Sequence, residues 1–76
     1  MNVVNMKEQK TKLQLETLIL ERAQATMQLD GVSVFGAGSQ WQATFSAKPH
    51  LMMPYSALFR TIVTEMRELY ELHRVA

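Results

Sequence analysis

From Lys7 to Leu29 the chain runs without a glycine or proline, and Leu, Glu, Gln, Lys and Ala are frequent. This predicts a helix over residues 7–30, with residues 1–6 as a short lead-in. Asn5 and Glu8 have the spacing of a capping box. Asp30-Gly31 supplies the stop, because Gly accepts the left-handed conformation that ends helices. The period then shortens. Trp41, Ala43, Phe45 and Ala47 alternate with Gln40, Gln42, Thr44 and Ser46, the pattern of a strand with one buried face. Val32-Ser33-Val34-Phe35 precedes it, and Gly36-Ala37-Gly38-Ser39 suits the connection between two strands. A β-hairpin over 32–47 follows, ended by Lys48-Pro49. His50 to Met53 reads as a brief strand or a linker. Pro54 suits the first position of a last helix over 54–74, since its missing N–H costs nothing there. On a helical wheel Tyr55, Leu58, Phe59, Ile62, Val63, Met66, Leu69, Tyr70 and His73 share one side. Arg60, Thr64, Arg67, Glu68, Glu71 and Arg74 take the other.

These elements predict a single α+β domain over 1–76 in the order helix, β-hairpin, helix (αββα). The Trp41 and Phe45 face of the hairpin should pack on the last helix. The first helix carries more apolar surface than two such neighbours would cover. Beside a narrow polar stripe lie Leu13, Ile19, Leu20, Ala23 and Met27 on one side, and Leu15, Leu18, Ala25 and Leu29 on the other. The second set is expected to meet another chain, either a second copy or a partner protein.

Size strengthens that expectation. A chain of 76 residues buries only about 60% of its unfolded surface, so a partner subunit is a common means of support. There is no cysteine, which excludes disulfides and thiolate metal sites and favours a reducing, cytoplasmic setting. Apolar runs are too short to span a bilayer, and no basic-then-apolar leader is visible.

Gly36-Ala37-Gly38-Ser39 lacks the Lys-Ser/Thr pair of a phosphate loop and leads into a strand, so it reads as a turn. Two histidines, His50 and His73, and one aspartate, Asp30, are too few for a metal site. Serines 33, 39, 46 and 56 stand in no nucleophile motif. No catalytic residue, metal or cofactor is therefore expected.

Binding is the expected function. The principal reading is a non-enzymatic protein–protein interaction module, homodimeric and acting on a partner surface. Its interface would use Leu15, Leu18, Ala25 and Leu29 with Phe35, Met52 and Met53. Chains of this size and composition are common among accessory proteins and inhibitors carried by phages and mobile elements, an analogy of size and composition only. The alternative is a nucleic-acid-binding regulator that uses Lys7, Lys10, Lys12, Arg60, Arg67 and Arg74. The three arginines recur every seven residues and form one stripe that could follow phosphates. A net charge of +1 argues against it, as does the helical i,i+4 spacing of Arg67 and Glu71, which suits a solvated ion pair.

Overall fold

A computed structural model describes residues 7–73. The chain is α+β, but its order is β-α-β-β-α-β, not the expected helix–hairpin–helix. The elements are β1 (Glu8–Lys10), α1 (Lys12–Gln24), β2 (Gly31–Phe35), β3 (Gln42–Ser46), α2 (Pro49–Leu69) and β4 (Tyr70–Leu72). The hairpin is present as β2 and β3. Both predicted helices change their ends, and two short strands take the residues released.

The first helix begins at Lys12 because Thr11 caps it. The Thr11 hydroxyl accepts from the Gln14 N–H at 3.1 Å, and the Gln14 side chain accepts from the Thr11 N–H at 2.9 Å. That reciprocal box lies six residues beyond the expected one; Asn5 lies outside the described residues, and Glu8 belongs to β1. The helix ends at Gln24, short of the Asp30-Gly31 stop. Residues 25–30 leave it as a turn and an extended link that still places Met27 and Leu29 inside the core.

The second helix uses the other proline. Pro49, not Pro54, occupies the first turn, so His50 to Met53 are helical rather than extended. Pro54 then lies within the helix, where it removes one backbone bond. At the far end Tyr70 is extended, with φ −134° and ψ 150°. Residues 70–72 become a strand instead of a last helical turn.

The two terminal strands pair with each other. β1 and β4 run parallel, with Glu8 opposite Tyr70, Gln9 opposite Glu71 and Lys10 opposite Leu72. The His73 N–H donates to the Lys10 carbonyl at 2.7 Å, and the His73 ring meets Gln9 Oε1 at 3.0 Å. On its other side β4 is tied to the hairpin loop: the Leu72 N–H donates to the Gly38 carbonyl at 3.0 Å. Trp41 Nε1 donates to the Tyr70 carbonyl at the same distance. Gly36, at φ +102°, lets the loop turn tightly here; a Cβ on it would stand 3.0 Å from the Trp41 Cα.

β2 and β3 are antiparallel, with Val32 opposite Phe45 and Val34 opposite Ala43. Their inner face carries Val32, Val34, Ala43 and Phe45, with Trp41 just before β3. This face packs on Leu15, Ile19 and Ala23 of α1 and on Phe59, Ile62, Val63 and Met66 of α2. The i,i+4 steps along α1 and the i,i+3/i+4 steps along α2 are what place each set on one stripe. Trp41, Val34, Leu15 and Ile19 are fully buried.

Candidate binding groove

The hairpin ribbon has only two strands, so each strand keeps one edge that its partner does not cover. The two edges meet different neighbours. The β2 edge faces α1. There Glu16 Oε2 accepts from the Val34 N–H at 2.8 Å and from Lys12 Nζ at 2.5 Å. Burial pushes the Glu16 carboxyl up, but the bonds from Lys12 and Val34 together outweigh it and hold the group below the usual glutamate range. A charged side chain thus occupies a strand donor that would otherwise be open.

The β3 edge faces α2, and between them lies an open groove of about 350 Å³. Its strand wall is Gln42, Ala43, Thr44 and Phe45. Its helix wall is Ser56, Phe59, Arg60, Val63, Thr64 and Arg67. Four consecutive strand residues line it, although their side chains alternate between faces, so the groove runs along the strand rather than over one face. Phe45 and Phe59 close its apolar end with ring centroids 4.6 Å apart. The lips are hydroxyls, an amide and two guanidinium groups.

Arg60 and Arg67 reach this groove because they lie seven residues apart on α2, two turns along one face. Neither forms an ion pair with a described residue. Three carboxylates are engaged elsewhere: Glu8 with Lys10, Glu16 with Lys12 and Glu65 with Arg22. The expected pairing of Arg67 with Glu71 depended on a helix running to residue 74. The helix stops at Leu69, and Glu71 lies in β4. No carboxylate is among the groove's described lining residues. Two positive charges therefore face a cleft with no counter-charge of its own.

The other sequence-derived candidates are scattered. Lys10 is paired with Glu8 at 2.6 Å and lies 5.5 Å from the centre of the Tyr70 ring. The Glu8 hydrogen bond raises its pKa against an opposing desolvation effect. Lys12 is held by Glu16. Lys7, half-buried, precedes β1. None of these lysines is among the groove's lining residues with Arg60 and Arg67, and Arg74 lies outside the described residues. Of the expected interface set, Leu15 and Leu29 are buried within the chain, Leu18 is packed partly against the core, and Ala25 is an exposed cap. Phe35, Met52 and Met53 are exposed, Met53 at 88%. Met52 and Met53 lie on the first part of α2, which extends past the fully buried residues.

Among the described residues no group of three or more metal-ligating side chains comes together. No described helix is long and apolar enough to cross a membrane. Of the serines singled out in the sequence, only Ser56 lines the groove, with neither a histidine nor a carboxylate among the groove's described lining residues.

Nothing in the sequence pattern alone points to the groove. Its two walls were separately visible, as the polar alternation of Gln42 and Thr44 and as the seven-residue spacing of Arg60 and Arg67. Nothing in the local pattern placed one against the other. Comparison with protein-family models, with curated proteins and with solved structures finds no match for this chain.

Proposed function

We propose that the protein is a small non-enzymatic interaction module, of the accessory or inhibitor type, that acts by occupying a partner protein, and that the groove between β3 and α2 is its working surface. The observation that carries this reading is the pair of unengaged guanidinium groups, Arg60 and Arg67, in a groove without a carboxylate. Arg60 is exposed and Arg67 half-buried, so both guanidinium groups are open to an incoming anion, and Arg is the side chain best suited to bidentate carboxylate recognition. The apolar floor of Phe45 and Phe59 adds contact area beside those charges.

Binding suits the groove better than catalysis. Ser56, Thr44 and Thr64 offer hydroxyls, but activating one needs a base oriented by a third group, and the described lining supplies neither. Nucleic-acid binding is the rival use of the same arginines. It is less well supported because Lys10 and Lys12 are committed to Glu8 and Glu16, so the basic surface is small and broken. Exposed Phe35, Met52 and Met53 support a homodimer as a second mode of association. Light scattering checks it: the expected mass is twice 8.7 kDa.

The groove reading is tested by site-specific photo-crosslinking in the native host. A photoreactive residue replaces Thr64 in the groove and, as a control, exposed Glu21 on α1. The expected result is a protein adduct at position 64 that Arg60→Glu plus Arg67→Glu abolishes. A nuclease-sensitive adduct, or one unaffected by the charge reversal, overturns the reading.

A further inference from the structure

The backbone geometry at the groove narrows what kind of protein segment it takes. In an antiparallel pair, two residues opposite each other either exchange their hydrogen bonds or both turn their N–H and C=O away from the partner strand. Val34 sends its N–H to Glu16 on α1, away from β3. Its register partner is Ala43. Ala43 must then turn its own N–H and C=O away from β2, into the groove that it lines. Phe45, two residues on and opposite Val32, turns the same way. Among the described residues nothing bonds to these groups.

The groove therefore has one wall of unpaired strand backbone and one wall of arginine. From these two features we infer that its occupant is an extended acidic peptide segment, added to the β3 edge as a third strand. The inference deepens the groove reading above and depends on it. Backbone bonds to Ala43 and Phe45 would align the segment, as in other strand-addition interfaces. Its carboxylates would meet Arg60 and Arg67. Two helical turns separate those arginines by about 10.5 Å of rise. Acidic residues two to four positions apart in a strand, about 7–13 Å, span that separation.

A second copy of this chain is a poor occupant. Its β4 segment, Tyr70-Glu71-Leu72, has one carboxylate and is already paired on both sides. On the β2 edge Glu16 already takes the Val34 N–H. A foreign acidic strand meets both the charge and the hydrogen-bonding requirement.

The experiment is an NMR titration of the isotope-labelled full chain with three capped peptides, each matched to the five residues of β3. One alternates glutamate with valine. The second replaces glutamate with lysine. The third is the acidic peptide with N-methyl groups on the edge that would face β3. The expected result is that the acidic peptide shifts the Arg60 and Arg67 side-chain signals and slows exchange of the Ala43 and Phe45 amides. N-methylation, and Arg60→Glu with Arg67→Glu, should each weaken it by about tenfold or more, the loss of one or two charge-assisted or backbone bonds.

Equal binding of the lysine peptide overturns the inference, because charge then plays no part. Arginine shifts without protection of Ala43 also overturn it: the segment then lies in the groove without joining the sheet, and the groove reading survives. No groove shift from the acidic peptide overturns strand addition as well. The groove reading fails separately, through the crosslink at position 64. A single-stranded oligonucleotide that displaces the acidic peptide, with binding that falls steeply with salt, overturns the inference in favour of phosphate.

Discussion

The two edges of the hairpin ribbon are built from similar backbone and finished in opposite ways. Along β2, α1 supplies Glu16, whose carboxylate takes the Val34 N–H and is itself balanced by Lys12. Along β3, α2 supplies Arg60 and Arg67, which have no described counter-ion, and stands back far enough to leave a groove. Exposed strand edges invite pairing with other chains, and proteins commonly cover or charge them. Here one edge has its Val34 donor engaged by the chain itself, and the other is left open but guarded by positive charge. The difference shows where stability is built and where recognition is available.

The largest effect is expected at the frame that both edges share. Trp41 is fully buried against the helices and ties the hairpin to β4 through its indole N–H. Trp41→Ala should cost about 3–5 kcal/mol, read as a shift in denaturant midpoint. A cost near zero would mean that the ribbon is not anchored through its inner face.

Next comes the closed edge. Glu16→Ala leaves the Val34 N–H without its acceptor and should cost about 1–3 kcal/mol. Glu16→Gln separates charge from hydrogen bonding and has a pH signature. The folded-state pKa of Glu16 is lowered, so its ionised form stabilises the fold above the unfolded-state value. That contribution is lost as pH falls through the lowered folded value. The stability gap between wild type and Glu16→Gln should be widest at neutral pH and close on acidification. A gap that grows on acidification would contradict this assignment.

Smaller still is the ion pair between the helices. Arg22 and Glu65 are each about half exposed, and such pairs contribute roughly 0–1 kcal/mol. Arg22→Ala should fall within that range and shrink further at high salt.

Smallest of all is the open edge. Arg60→Ala with Arg67→Ala should change stability by no more than about 0.5 kcal/mol, as for surface changes that break no contact. The same pair should remove partner binding. A large loss of stability would show that the arginines hold the fold rather than serve the groove.

Much of the interior was legible in the sequence. The alternation through Trp41, Ala43 and Phe45 located the hairpin and its buried face. The spacing of Phe59, Ile62, Val63 and Met66 located the inner stripe of α2. The ends were not legible, for physical reasons. Pro49 and Pro54 are equally good first helical residues, and local preference does not choose between them. Tyr70-Glu71-Leu72 continues a helical pattern, and only the distant β1, Gly38 and Trp41 draw it into a strand. Those long-range bonds also decide the site. By ending α2 at Leu69 they carry Glu71 away from Arg67, which frees the arginine for the groove. The reading of Leu15 and Leu29 as surplus surface reflected the same omission, since a helix assumed to run to residue 30 has more length to cover than one that ends at Gln24.

The central claim is that the β2 edge has its Val34 donor engaged while the β3 edge is open at Ala43, and native-state amide exchange of the free protein tests it most directly. The account predicts that the Val34 amide is protected like its ladder neighbours and loses that protection in Glu16→Ala. It predicts that the Ala43 amide exchanges near the rate of an unstructured peptide. Equal protection of Val34 and Ala43, unchanged by Glu16→Ala, would contradict it.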